Sequence, residues 1–170
     1  MGASLLVLAV GNESRGDDAL GPLLVRRLAA WLEASNQAAG VELIEEFQLQ
    51  IENTLDLKGR ELVLFVDAGK DTAAPFTFHE SVPKRLNGHT SHAVAPETLL
   101  GVYAMVHGEQ PPPMFILCIA GSAFELGEPL SSQASLNLAQ AYAFACQLLE
   151  QTEINHWRSL GATLVGADTH

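Results

Sequence analysis

Short apolar runs of strand length alternate with longer segments of helical periodicity along this chain of 170 residues. Residues 5–10 predict a buried strand, and the leucines that recur every fourth position over 20–32 predict an amphipathic helix after it. Further strands are predicted over 41–47, 61–67, 75–79 and 114–120, and further helices over 52–58, 95–107 and 131–150. This alternation predicts the α/β class, as a three-layer αβα sandwich with a mostly parallel, twisted sheet of about five strands.

The predicted elements fill most of the chain, so residues 1–150 are expected to form a single α/β domain. Residues 151–170 are short and weakly patterned, and we expect them to be a C-terminal tail. With 48% hydrophobic residues the chain has enough apolar material for one sizeable core. Cys118 and Cys146 lie far apart, without metal-binding spacing, and are expected to be buried thiols. Because no targeting or membrane-spanning pattern is visible, a cytoplasmic location is expected.

The charge of the chain is strongly negative. Nine Lys and Arg are scattered among twenty Asp and Glu, which gives a formal net charge of -11 and a pI near 4.8. Without a basic patch, such a chain is repelled by nucleic acid and by anionic membrane surfaces. We therefore expect neither as a partner, and we expect a monomer in isolation.

Two adjacent acids follow the first predicted strand. Gly11 and Gly16 have the glycine spacing of a phosphate-binding loop, but Asp17 and Asp18 stand where such a loop carries Lys and Ser or Thr. At ~4 Å and an effective dielectric constant of ~20, each contact between like charges costs roughly 4 kcal/mol, so this turn suits a cation better than a phosphate. One acid is expected to cap the first helix, as carboxylates commonly do. We assign that role, or simple solvent exposure, to Asp17 and expect Asp18 to point into a site.

A third acid and two histidines are expected near the same edge of the sheet. Asp67 ends a run of five apolar residues, and its alternative role is to cap a tight turn at Gly69. His89 and His92 precede the helix predicted over 95–107, and their spacing alone does not separate a ligand from an ordinary loop histidine. Ligands of open α/β sheets bind beyond the carboxyl ends of the strands. Two carboxylates and one imidazole at that edge would suit zinc or nickel.

Three segments of the chain together resemble a known family. They are VGNESRGDDALG over 10–21, Val-Asp-Ala over 66–68, and Ser-His at 91–92 followed by Leu-Leu at 99–100. Over about the first 150 residues, their order and spacing are similar to those of the hydrogenase maturation endopeptidases, which remove a C-terminal extension from the large subunit of nickel-iron hydrogenases. The resemblance implies a peptidase in which Asp18, Asp67 and His92 are both the catalytic and the metal-binding residues. His89 does not match the family's histidine.

The resemblance also implies the substrate and the source of the metal. The partner would be a hydrogenase large-subunit precursor, and its nickel, already inserted, would be the recognition element, with no organic cofactor. Many relatives carry Glu in place of Asp18, and many carry an Asp-Gly-Gly-Thr-type loop where this chain has EEFQLQ over 45–50. Glu45 and Glu46 are interpreted as a solvated strand end, whereas Gln48 and Gln50 are candidates to recognise the partner. Which hydrogenase is processed, and whether the metal catalyses or only gates cleavage, stay open.

Two other functions fit parts of the pattern. A non-enzymatic nickel-binding chaperone for hydrogenase assembly would use the same three ligands without cutting the precursor. A nucleotide-binding α/β enzyme is suggested by the glycine spacing of the first turn and opposed by its twin acids. Neither cysteine has a neighbouring histidine motif, so the sequence offers no rival nucleophile.

Overall fold

The computed structural model describes residues 3–84 and 94–168, with side chains up to residue 162. Its strands are β1 (Leu5–Val10), β2 (Val41–Glu46), β3 (Leu62–Gly69), β4 (Phe76–Glu80) and β5 (Met114–Ala120). Its α-helices are α1 (Leu20–Ala34), α2 (Thr54–Leu57), α3 (Pro96–His107), α4 (Ser132–Glu150) and α5 (Ile154–Asp168), and single 3₁₀ turns occupy Gly16–Ala19 and Ile51–Asn53. Every strand predicted from the sequence is present, with its bounds shifted by two residues at most.

The sheet has the strand order β2-β1-β3-β5-β4. β1 pairs in parallel with both β2 and β3, β3 pairs in parallel with β5, and only the edge strand β4 runs antiparallel. The chain leaves β1 towards β2 and then returns to β3 on the other side of β1. The carboxyl ends of β1 and β3 therefore flank the switch point at which α/β sheets open a crevice.

Alternation along β1 divides the core into two layers. Leu5, Val7 and Ala9 belong to the apolar cluster that includes α1 and α4, whereas Leu6, Leu8 and Val10 belong to the cluster that includes α2 and α3. Because β1 is buried on both faces, its sequence is a continuous apolar run, as parallel strands require. The predicted three-layer α/β sandwich is confirmed. So is the leucine stripe of α1, whose four members are no more than 3% exposed.

The prediction of a tail after residue 150 is wrong. Residues 154–168 form α5, which packs on β4, and Trp157 is completely buried. The indole ring meets Phe115 and Phe78 edge-on at centroid distances of 5.4 and 6.2 Å. Its N–H donates to the carbonyl oxygens of Leu148 and Gln151 at 3.1 and 2.9 Å. Ile154 and Leu160 also pack against the core, and Arg158 forms an ion pair with Glu80 of β4. Trp157 is the only one of these side chains that is fully buried, and so few apolar positions leave little periodicity to detect.

Both cysteines are free thiols and are half-buried instead of fully buried as expected. Within the ranges given above, no helix combines the length and the apolar character needed to cross a membrane.

Candidate active site

A cavity of about 570 Å³ opens at the carboxyl edge of β1 and β3. Its walls are formed by Val10 and the turn after it (Gly11, Asn12, Arg15 and Asp18), residues 47–49 after β2, Phe65 and Asp67 of β3, and residues 94–96 at the start of α3. The structure thus brings together two of the three predicted site residues, Asp18 from the 3₁₀ turn after β1 and Asp67 from β3.

A larger cavity, of about 840 Å³, lies beside the start of β5 and the end of β4. Its charged groups are already engaged. Glu80 forms an ion pair with Arg158, and Glu109 accepts a hydrogen bond from the Tyr103 hydroxyl at 2.6 Å. The carboxylates that the sequence indicates, Asp18 and Asp67, line the smaller cavity.

Asp18 is held by the turn that follows β1. Its Oδ2 accepts the Asn12 N–H at 2.7 Å, and its own N–H donates to the Arg15 carbonyl at 3.0 Å. A Cβ at position 11 would lie 2.1 Å from the Asp18 carbonyl oxygen, so only glycine permits this approach. Among the described residues, Oδ1 of Asp18 accepts no hydrogen bond. One carboxylate oxygen fixes the side chain, and the other is free to bind a ligand.

Most amide groups of the same turn are not available to a phosphate. The N–H of Asn12 is engaged by Asp18, that of Ser14 by the Asn12 side chain, and that of Arg15 by the Asn12 carbonyl. The N–H of Asp17 donates to the Ala123 carbonyl at 2.7 Å. Because phosphate binding in such loops depends on free N–H groups, this geometry argues against a nucleotide site.

Asp67 is half-buried at the end of β3, and its Oδ1 accepts the N–H of Ala68 at 2.7 Å. Burial raises its pKa to about 7, the hydrogen bond from Ala68 opposes that shift, and the charge of Asp18 adds to it. The effect of Asp18 shows that the two carboxylates are electrostatically coupled. An acid with a pKa near 7 exists in both protonation states at neutral pH, as a general acid or base requires.

Cys118 is the partner of Asp67 in the register between β3 and β5. Its Sγ lies 3.1 Å from the hydroxyl oxygen of Thr72. Burial, with a further contribution from the Asp67 charge, raises the pKa of the Cys118 thiol. A thiol that resists ionisation is a poor nucleophile, so the cavity offers no thiolate alternative to its carboxylates.

Asp17 neither caps α1 nor faces solvent, so that prediction is wrong. Its side chain is completely buried, and its oxygens accept the N–H groups of Ser122, Ala123 and Ser131 at 2.8, 3.0 and 2.7 Å and the Ser131 hydroxyl at 2.8 Å. Burial raises the pKa of Asp17, but the four hydrogen bonds outweigh it and hold the pKa below its usual range. The adjacent Gly16 adopts a φ of +52°, and a Cβ there would lie 2.2 Å from the Ala123 carbonyl oxygen. Asp17 therefore joins the first turn to the loop between β5 and α4.

The third predicted ligand, His92, lies outside the described residues, as does His89. Val94, two positions after His92, lines the cavity. Within the described parts of the chain, no three His, Cys, Asp or Glu side chains are grouped as a metal site would need. The two carboxylates are oxygen donors of the kind that bind divalent cations, and they would form an incomplete ligand set without a further donor.

The segment after β2 contributes unequally to the cavity. Glu45 is exposed and paired with Arg26 at 3.0 Å, as a solvated strand end should be, and the Glu46 carboxylate accepts from the Asn53 amide at 3.4 Å. Gln48 lines the cavity, whereas the Gln50 N–H donates to the Asn53 side chain at 2.8 Å.

Two further cavity-lining residues, Arg15 and Phe47, were not identified from the sequence. Phe47 is 66% exposed at the rim, and a lone aromatic residue after a strand carries no signal that distinguishes a rim from a core.

No protein-family model matches the chain, and no curated protein matches it in sequence. Solved structures do share its fold. Hydrogenase maturating endopeptidase HybD from E. coli superposes with a TM-score of 0.66 and is 20% identical, over 87% of this chain and 93% of that one. The [NiFe] hydrogenase maturation protease HycI from Thermococcus kodakarensis KOD1 gives 0.64 and 20%, over 88% of this chain and 95% of that one. A hydrogenase 2 maturation peptidase from Thaumarchaeota archaeon SCGC_AB-539-E09 gives 0.58 and 22%, over 86% and 97%. At this identity the likeness establishes the fold.

Proposed function

We propose that this protein is an endopeptidase that removes the C-terminal extension of a nickel-iron hydrogenase large-subunit precursor after nickel insertion. The observation that carries the proposal is the pairing of Asp18 and Asp67 in one cavity at the carboxyl edge of the sheet. The shared fold with proteins described as hydrogenase maturation endopeptidases supports it, because that likeness extends over nearly the whole of both chains.

The two carboxylates supply the proton transfers that peptide hydrolysis needs. An attacking water must lose a proton, and the leaving amide nitrogen must gain one. Asp67, with its pKa raised to about 7, takes the proton from water in its ionised form and then returns it to the leaving nitrogen. Asp18, whose Oδ1 is free among the described residues, orients the water or binds the cation that the substrate brings.

In this proposal the nickel belongs to the substrate. It arrives seated in the precursor, within the set of Asp18, Asp67 and His92 that the resemblance implies. Asp18 and His92 bind it directly, while Asp67 exchanges the proton. Two described carboxylates do not make a self-contained metal cage, and a site completed by the substrate's own metal explains why so few ligands suffice. Cleavage then follows nickel insertion, because the precursor lacks its recognition element until it is loaded.

The test is to incubate the purified protein with nickel-loaded and with nickel-free precursor and to measure intact masses. We expect the loaded precursor alone to lose the mass of its C-terminal extension. The variant Glu52→Gln changes an exposed acid that does not line the cavity, so it should cleave the loaded precursor as the wild type does. Stable binding of loaded precursor without any mass loss would favour the chaperone function instead, and would contradict the proposal.

A further inference from the structure

Arg15 lies at the rim of an acidic cavity without an acidic partner. It is the only Lys or Arg along the described walls of that cavity, and its side chain is exposed. Arg26, Arg60 and Arg158 form ion pairs with glutamates, whereas Arg15 and Arg27 take part in none of the ion pairs among the described residues. Of these two arginines only Arg15 lines the cavity, on the same walls as Asp18 and Asp67, in a chain with more than twice as many acids as bases.

The backbone of Arg15 is fixed relative to Asp18. The Arg15 N–H donates to the Asn12 carbonyl at 3.0 Å, and its carbonyl accepts the N–H of Asp18 at the same distance. Asp18 in turn directs Oδ2 to the N–H of Asn12. The two opposite charges therefore belong to one hydrogen-bonded turn, but Asp18 is oriented by that turn and not by the guanidinium.

A free guanidinium in this place has a definite chemical preference. It presents five N–H donors in a planar fork that matches the two oxygens of a carboxylate. An anionic segment that approaches the cavity is repelled by Asp18 and Asp67, and Arg15 is the one described cation on the walls able to offset this. Phe47, exposed on the same walls, offers an apolar surface for the rest of such a segment.

We propose that Arg15 is a specificity residue that binds a carboxylate of the precursor. This inference rests on the proposed function. The carboxylate has two sources, an acidic side chain close to the scissile bond or the terminal carboxylate of the extension. Either source would fix the register of the extension, because Arg15 stands three residues from Asp18 on the same turn.

The first test separates binding from chemistry. In steady-state cleavage of nickel-loaded precursor, Arg15→Gln should raise KM about tenfold and leave kcat and its pH profile unchanged, and Arg15→Lys should fall between. The control Lys58→Gln removes the same charge from an exposed residue outside the cavity and should leave KM unchanged. An unaltered KM in Arg15→Gln, or an equal rise in Lys58→Gln, would overturn the inference.

The second test does not depend on cleavage. Fluorescent peptides covering the precursor's C-terminal region are titrated with wild-type protein and with Arg15→Gln. One pair of peptides differs in the C-terminus, which is a free carboxylate or an amide. A second pair differs near the scissile bond, where acidic residues are kept or replaced by Asn or Gln. The wild type should bind one carboxylate form at least fivefold more tightly than its neutral counterpart, and Arg15→Gln should lose that preference. Arg15→Glu should recover affinity for the peptide in which Lys replaces the recognised acid.

The outcomes of the two tests distinguish the two proposals. Equal affinity of wild-type protein for every peptide overturns the role of Arg15, even if the precursor is cleaved. Carboxylate-selective binding without any cleavage overturns the proposed peptidase and leaves the role of Arg15 in place.

Discussion

The carboxylate of Asp17 accepts both the N–H and the hydroxyl of Ser131, at 2.7 and 2.8 Å, across 114 positions of sequence. Ser131 also caps α4, since its hydroxyl oxygen accepts the N–H of Ala134 at 3.2 Å. One buried acid thus joins the turn after β1 to the start of α4. Its neighbour Asp18 faces the cavity, so two adjacent acids have different tasks, one structural and one exposed to substrate.

Asp17→Asn should destabilise the protein by about 1–3 kcal/mol, because an amide cannot accept at both of its positions and leaves a buried N–H without an acceptor. The pKa of Asp17 is lowered in the folded state, so its stabilisation is present above the unfolded value of about 3.9 and is lost as pH falls through the folded value. Urea unfolding at pH 7 and pH 3 measures both effects. The control Asp71→Asn, at an exposed position, should change stability by less than about 0.5 kcal/mol. An equally small effect of Asp17→Asn would contradict the structural role.

Asp67 should make the protein less stable as pH rises. Its folded pKa of about 7 exceeds the unfolded value of about 3.9, so between these values only the unfolded state ionises, and the stabilising difference is lost by the time pH passes 7. Asp67→Asn removes the cost of ionising a buried carboxyl group. The unfolding free energy of this variant should therefore be higher than that of the wild type by about 2–4 kcal/mol at pH 8, and almost the same at pH 4. Denaturation across this pH range checks it. A difference independent of pH would show that Asp67 does not titrate near neutrality.

Trp157→Ala should cost about 3–5 kcal/mol, because it empties a fully buried site between α5 and the sheet. Trp157→Phe should cost less but more than zero, since it keeps the aromatic contact and loses the two hydrogen bonds of the indole N–H. Leu136→Ala, at a residue of α4 that is 61% exposed, is the control for truncating a large apolar side chain. Thermal and urea unfolding give the comparison. If Trp157→Ala is as stable as the wild type, the burial of Trp157 does not stabilise the fold, and residues 151–170 act as a tail.

If the proposed function is right, His92→Ala should stop cleavage of nickel-loaded precursor and His89→Ala should leave it largely unchanged, since only His92 matches the histidine of the endopeptidases that the sequence resembles. A neutral imidazole is needed to bind the metal. Cleavage assays of both variants at pH 7 provide the measurement. Full processing by His92→Ala at pH 7 would remove the histidine from the site.

The strands and layers were predictable because they follow from local periodicity. Leu5–Val10 is apolar at every position, which is how a strand buried on both faces must read, and the stripe of α1 repeats at the helical period. The position of Asp18 and Asp67 followed from topology, since Asp18 lies in the turn that follows β1 and Asp67 lies near the end of the adjacent parallel strand β3.

The predictions that failed concern residues whose contacts are distant in sequence. The partners of Asp17 lie more than a hundred residues away, and no local rule separates a buried acceptor from a helix cap. The packing of α5 depends mainly on one tryptophan that lies over β4 and β5, with Ile154 and Leu160 beside it, and this apolar pattern is too sparse to predict a helix. The place of Arg15 on the cavity wall depends on how the turn after β1 folds, so residue type alone did not reveal it.

The central claim is that Asp18 and Asp67 act as one unit in cleavage. The most direct measurement is the single-turnover rate at pH 7 with nickel-loaded precursor, for wild type, Asp18→Asn, Asp67→Asn and the double variant, with Glu52→Gln as control. We predict that each single change lowers the rate by at least about 100-fold and that the double variant is no slower than the slower single one, because groups that act together do not contribute additively. Wild-type cleavage by either single variant, or losses that multiply in the double variant, would contradict the account.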